Sequence, residues 1–246
     1  ASVAAAMQGA DAVVNCVGTF DRGGKNNFDA VQTDGAARIA RIAAAQGVGA
    51  LVHISALSAD PQGGSLYARS KGAGEAAVLA AFPTAMILRP SVIFGFEDGF
   101  FNRFAGMSRM GPLLPLVGGN SKFQPVYVDD VARAAVMGVN GQASGVFELG
   151  GPDVESLKTT IHAMLAEVRR RRLVLNMPFW VAKIIASALD FGSFLTGGLI
   201  TNKILTRDQV DSLKSDNVVA PGAKTLADLG IEATAYASVI PEYLWR

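Results

Sequence analysis

The sequence predicts an α/β protein: a Rossmann-like parallel sheet flanked by helices, with a smaller, mainly helical C-terminal region. Three observations carry this. From residue 2 to about 150, short apolar runs alternate with longer Ala-rich segments of helical character, the pattern of βαβ units. Half of the 246 residues are hydrophobic and 17% are charged, which is enough apolar side chain for a substantial core. Neither an internal repeat nor a low-complexity linker interrupts the chain, so the boundary between regions 1–150 and 151–246 is soft.

The first strand is "DAVVNCVG" (11–18), ending at Gly18. A helix over 28–47 follows, with Ile39, Ile42 and Ala43 on one face, Arg38 and Arg41 off it, and Gly47 closing it. "ALVHIS" (50–55) is the second strand, 66–82 the second helix, and "AMILRPSVIFG" (85–95) the third strand, stopped by Pro90. Right-handed crossovers force these strands to lie parallel with helices on the sheet faces. Residues 123–139 read as a short strand and a helix capped by Asp129 or Asp130. "GVFELGGPD" (145–153) reads as a strand closed by a Gly-Gly-Pro turn. From about 154 onward the pattern is of helices separated by loops.

The net charge of +1 excludes a dedicated nucleic-acid binder. Cys16 is the one cysteine, so no internal disulfide is possible. With only His53 and His162 beside it, no metal site is expected. The apolar stretch 173–200 carries Asn176, Lys183 and Asp190, which are costly in a bilayer, so it does not read as a membrane span.

The chemistry-bearing residues fall at the carboxyl ends of the predicted strands, the rim where open α/β folds bind ligands. Tyr67 and Lys71, four apart on one helix, share a face. Such a pair is an acid/base couple, the ammonium lowering the phenol pKa, or a clamp on a cofactor ribose, or a chance pairing on a solvated face. Ser55, ending its strand, either orients a carbonyl or hydroxyl or caps the following turn. Val17 and Gly18 close the first strand at the same rim, where glycine permits close approach of a nucleotide. Pro90, Ser91 and Val92 follow the third strand there.

The series "NCVG", "LVHIS", "YARSK", "ILRPSVIFG", "PVYVDDVA" and "FELGGP" resembles an extended or atypical short-chain dehydrogenase/reductase over residues 9 to about 153. That resemblance implies a truncated NAD(P)-binding domain over 1–150. In it Tyr67 and Lys71 hold the nicotinamide ribose, Ser55 polarises the substrate, and Pro90, Ser91 and Val92 lie against the nicotinamide, as Val17 and Gly18 line the nucleotide. "FDAVQTDGA", "FGFEDGFFNRFA", "LTRDQVDSLKSDNVV" and "DLGIEAT" narrow it: nearly the whole chain resembles the nucleotide-binding accessory subunits of respiratory complex I and their alphaproteobacterial relatives. This implies NADPH held structurally, other complex I subunits as partners, and a peripheral position at the inner membrane, on the cytoplasmic face in bacteria or the matrix face in mitochondria. The alternative is an active NAD(P)-dependent reductase or epimerase on a sugar-nucleotide, isoprenoid or quinone-type substrate, using Ser55, Tyr67 and Lys71.

No G-x-x-G-x-x-G stands before "DAVVNCVG", and the chain opens on Ala1. The expectation is therefore a fragment lacking at least one βαβ unit, on the order of 30 residues. Arg169 to Arg172, preceding a Phe/Trp-bearing apolar stretch, read either as an interfacial membrane contact or as a helix end whose arginines satisfy carbonyls. Met107 and Met110 share one helical face and are expected in the core. Phe100, Phe101 and Phe104, with Arg103, suit a pocket roof, a protein contact or a core loop.

Overall fold

Four short apolar segments pair in parallel in the computed structural model, which describes residues 2–20, 23–195 and 206–244. In chain order the elements are α1 (Ser2–Ala6), β1 (Ala12–Asn15), α2 (Asp34–Ala45), β2 (Ala50–Ile54), α3 (Leu66–Ala81), β3 (Met86–Pro90) and β4 (Ile93–Phe94). Then come α4 (Phe101–Met107), β5 (Leu113–Val117), β6 (Lys122–Phe123), β7 (Val126–Tyr127), α5 (Val128–Val139), β8 (Gly145–Leu149) and β9 (Glu155–Ser156). The last are α6 (Leu157–Glu167), β10 (Leu173–Met177), α7 (Phe179–Leu195), α8 (Arg207–Ser212) and α9 (Tyr236–Val239).

The chain forms two compact units, and no single cut near residue 151 separates them. The first takes Ala1–Ser91, Val126–Pro152 and Val219–Thr234. The second takes Val92–Pro125, Asp153–Val218 and Ala235–Arg246.

The first unit holds the expected parallel sheet, in the order β1-β2-β3-β8. Alternation along β2 decides which side chains meet which helices. Leu51 packs in one cluster with Ala36, Ala40 and Ala43 of α2 and Val78 of α3. Val52 faces the other way, toward α5, where a Cβ on Gly138 would lie 2.6 Å from its Cγ2. His53 and Ser55 therefore face α3, as Leu51 does.

The predicted helix over 28–47 begins instead with a wide π-type turn, Asp29–Thr33, before α2 proper. The wider turn carries Gln32 inward. Its amide donates to the Thr19 carbonyl at 2.7 Å and accepts from Ser70 Oγ at 2.7 Å. Helix α3 starts where Ser65 accepts from the Ala68 amide at 3.0 Å. Two interior glycines weaken it as a helix, by about 1 kcal/mol each relative to Ala, yet both are required by contact. A Cβ on Gly72 would lie 2.4 Å from the Pro61 amide nitrogen, and one on Gly74 2.1 Å from the Gln32 carbonyl oxygen.

Helix α5 is capped differently from the expectation. Neither Asp129 nor Asp130 is its N-cap: Tyr127 holds that position, without a side-chain cap. Asp130 is instead buried inside the helix and accepts from the Thr234 amide at 2.7 Å and from Arg133. The strap Val219–Thr234 thus ties to α5 at one end. Earlier along it the strap ties to the sheet edge, where Glu148 accepts from the Ala220 amide and donates its own amide to Lys224, at 2.8 and 2.7 Å.

In the second unit β5 and β10 pair in parallel, burying Leu114 and Leu116 and exposing Leu113, Leu173 and Leu175. The region past residue 154 therefore contains strand as well as helix. Phe101 is fully buried against Phe94 and Tyr236, with ring centroids at 6.1 and 5.7 Å, and Phe100 meets both Phe101 and Phe104 edge-on, at 5.0 and 5.5 Å. Met110 is not core: α4 ends at Met107 and Met110 is 81% exposed. What ends α4 is the arginine run. Arg170 donates to the Ala105 carbonyl and to Ser108 Oγ, at 3.1 and 3.0 Å, and Arg172 to the Ser108 carbonyl at 2.7 Å. Two cations on terminal carbonyls complement the negative end of the helix. No described helix is long and apolar enough to cross a membrane; of the stretch 173–200, residues 196–200 lie outside the described residues, as do the side chains from Asp190 onward.

Candidate functional site

Lys71 is buried on α3, and its Nζ donates to the carbonyl of Ile54, the residue before Ser55, at 3.1 Å. A Cβ on Gly18 would stand 3.8 Å from the same Nζ, so the glycine keeps the end of β1 open beside the cation. The end of β1, the end of β2 and the second turn of α3 thus converge on one ammonium. Burial lowers the Lys71 pKa, opposed by Glu75 and Cys16.

Tyr67, one turn earlier, is half-buried between two rings. Phe20 stacks on it at 5.3 Å between centroids and 11° between planes, and Phe28 meets it edge-on at 6.0 Å. Burial pushes its phenol up to about 12. This corrects the expectation that Lys71 lowers it: the ammonium is engaged with the Ile54 carbonyl, and desolvation prevails.

Ser55 continues the β2 ladder, its amide donating to the Leu88 carbonyl at 2.7 Å, while its Oγ is buried without a protein partner. The strand past it holds Pro90, whose carbonyl accepts from the Leu57 amide at 3.2 Å, and Ser91, whose amide donates to the Leu149 carbonyl at 2.8 Å. Val17 is exposed, its amide donating to Asn15 Oδ1 at 3.1 Å. Val92 opens the second unit.

Several residues of the rim were not anticipated. Asn15 Nδ2 lies 2.9 Å from His53 Nδ1, directly across the β1–β2 pairing, and the His53 ring is buried with Nε2 unpartnered. Burial first, then the Lys71 charge, brings its pKa down to about 4. Arg89 bonds both oxygens of the buried Glu75, at 2.9 Å to Oε1 and 2.5 Å to Oε2, and reaches Glu148 at 3.4 Å. The signals were spacing alone: His53 precedes Ser55 by two on a strand, and Glu75 follows Lys71 by four on a helix.

A buried hydroxyl without a partner and a buried ammonium beside an open glycine fit the ribose and carboxamide end of a nicotinamide nucleotide. A groove of about 810 Å³ elsewhere in the first unit, between α5 and Leu229–Ile231, contains none of these residues. Among the described residues, no cluster of three His, Cys, Asp or Glu is placed to hold a metal.

The chain is similar to several known proteins. The mitochondrial 40 kDa subunit of NADH-ubiquinone oxidoreductase from Neurospora crassa is 32% identical over 246 residues, covering 99% of this chain and 63% of that protein. A ceramide reductase from Caulobacter vibrioides is 31% identical over 172 residues, covering 68% of this chain and 54% of that protein. The chain thus spans less than two thirds of the length of either relative. Among solved structures, dTDP-4-dehydrorhamnose reductase from Bacillus anthracis, in complex with NADP, superposes with a TM-score of 0.69 over 98% of this chain and 83% of that one, at 14% identity. The NAD dependent epimerase/dehydratase family profile matches residues 1–150, the stretch that carries β1 to β8 and every rim residue described above. The chain belongs to the NAD dependent epimerase/dehydratase family.

Proposed function

We propose that this chain is part of an NADPH-binding accessory subunit of respiratory complex I that holds its nucleotide without turning it over. The observation that carries the reading is the similarity to the 40 kDa complex I subunit over 99% of the chain, beyond the 1–150 that any family member shares. The rim supports it. A phenol raised to about 12 is poorly matched to proton transfer near neutral pH, because a catalytic acid or base works best with a pKa near the working pH. Lys71 and Tyr67 then hold the nicotinamide ribose, Ser55 meets the carboxamide, and Val17, Gly18, Pro90 and Ser91 line the remainder. Bound, the nucleotide brings a transferable hydride that this subunit leaves unused. NADPH over NAD rests on the resemblance to the accessory subunits.

The partners in this reading are other complex I subunits, and the subunit sits peripherally at the inner membrane, on its cytoplasmic face in bacteria or matrix face in mitochondria. Exposed Trp180, Ile184, Leu173 and Leu175 in the second unit, with Arg171 nearby in sequence, suit contact with the membrane surface. The test is to purify the full-length subunit with complex I from membranes and identify the released nucleotide. NADPH in stoichiometric yield is expected; steady oxidation of NADPH by a quinone or carbonyl substrate overturns the reading.

One observation favours a second reading, an active reductase or epimerase on a sugar-nucleotide, isoprenoid or quinone-type substrate: Ser55, Tyr67 and Lys71 are all retained. Tyr67→Phe then abolishes turnover while nucleotide stays bound, and unchanged turnover removes Tyr67 from that role.

A further inference from the structure

The two buried polar side-chain atoms without a partner among the described residues, His53 Nε2 and Ser55 Oγ, belong to residues two apart on one strand. Both residues face α3. His53 is 1% exposed and Ser55 4%. A buried polar atom without a hydrogen bond costs about 1–3 kcal/mol, so two side by side call for a shared partner.

The protonation of His53 follows from its neighbours. Asn15 Oδ1 accepts from the Val17 amide, which fixes the orientation of the amide and leaves Nδ2 as the end that meets His53. An amide NH2 only donates, so His53 Nδ1 must accept, and the ring proton sits on Nε2. His53 thus carries a donor on the face it shares with Ser55. Residues i and i+2 of a strand lie about 6.6 Å apart along the chain with their side chains on one face, a spacing at which two polar side chains can share a bridging water.

We infer that His53 is a positioning residue for Ser55: locked by Asn15 as its Nε2–H tautomer, it shares one water with the Ser55 hydroxyl. Nε2–H donates to the water, and the water donates to Ser55 Oγ. The serine proton is then directed outward, so Ser55 acts as a donor, and the ligand atom facing it is a carbonyl oxygen. This rests on the reading of the rim as a nicotinamide nucleotide site, where that oxygen belongs to the nicotinamide carboxamide or to a ketone substrate.

The full-length protein labelled with 15N-histidine tests it. The signals that disappear in His53→Gln are those of His53. A neutral, Nε2-protonated ring in contact with a long-lived water is expected; an Nδ1-protonated ring, or an imidazolium at neutral pH, overturns the proposal. Urea unfolding of His53→Leu, Ser55→Ala and the double variant gives the second readout. Strong non-additivity is expected from a shared water, and additive midpoint shifts overturn the link. His53→Gln, which keeps a donor, restores nucleotide affinity to within about twofold, where His53→Leu weakens it about tenfold. A His53→Gln variant as weak as His53→Leu counts against the donor role. A thionicotinamide analogue separates the two carbonyl sources: with the carboxamide as acceptor the His53→Leu penalty on nucleotide affinity shrinks with the analogue, whereas with a substrate ketone as acceptor His53→Leu leaves nucleotide affinity unchanged and weakens binding of the ketone instead. Failure of the wild-type protein to bind any nicotinamide nucleotide overturns the functional reading, while the tautomer and the unfolding cycle still decide this one.

Discussion

His53 gives the residue scale its clearest consequence. Its folded pKa, about 4, lies below the ordinary histidine value of 6.5, because burial and then the Lys71 charge disfavour the imidazolium. The unfolded chain therefore binds the proton more readily. The stabilising contribution is whole above pH 6.5 and is lost as pH falls toward 4, amounting to roughly 3 kcal/mol. Urea midpoints at pH 7 and pH 4.5 are expected to differ far less in His53→Gln than in the parent protein. Glu75 is a second such residue. Removing it leaves Arg89 with only the longer contact to Glu148, so Glu75→Ala is expected to cost about 3 kcal/mol by chemical denaturation. Ser55, Tyr67 and Lys71 were legible in the sequence because their types and spacing carry chemistry by themselves. Asn15, His53 and Glu75 were not, because each acquires its role from a partner 14 to 38 residues away. The direction of the Tyr67 shift was also hidden, since it depends on how deeply the ring is buried.

At the scale of elements, α3 is held to the π-type turn and the loop before it by the two glycines that weaken it as an isolated helix. Gly74→Ala places a methyl against the backbone carbonyl of Gln32, which cannot yield without moving α3; a loss of about 3 kcal/mol is expected in thermal or urea unfolding. Gly138→Ala meets the flexible Met86 side chain, with Sδ at 2.5 Å, and the Val52 methyl at 2.6 Å, and is expected to cost less. The opposite order would show that α3 is free to shift. The parallel sheet could be read from the sequence because its strands are apolar runs separated by strongly periodic helices. Strand β10 could not, since its pattern, Leu173, Val174, Leu175, flows directly into the apolar α7. The arginines before it read as an interfacial contact or as a helix end whose arginines satisfy carbonyls; they do follow the end of α6, but nothing local says that the carbonyls served by Arg170 and Arg172 are those of α4, some 60 residues upstream.

For the whole molecule, the expectation is a ligand that stabilises by mass action. Nucleotide at a hundredfold excess over its Kd adds about 2.7 kcal/mol to the folded state of the full-length protein, seen as a higher Tm that rises with nucleotide concentration. A Tm indifferent to NADPH and NADH argues against a nucleotide site. The path of the chain has a separate consequence, for biosynthesis. Strand β8 is an edge of the four-stranded sheet, and the segment that covers its Glu148 amide, the strap from Val219 to Thr234, is the last piece of the first unit to be made. At ribosomal elongation rates of about 5–20 residues per second, that edge stays uncovered for roughly 4–15 s after β8 emerges. An open parallel edge invites pairing with another nascent chain, so the yield of this protein is governed in part by how long translation takes to reach the strap.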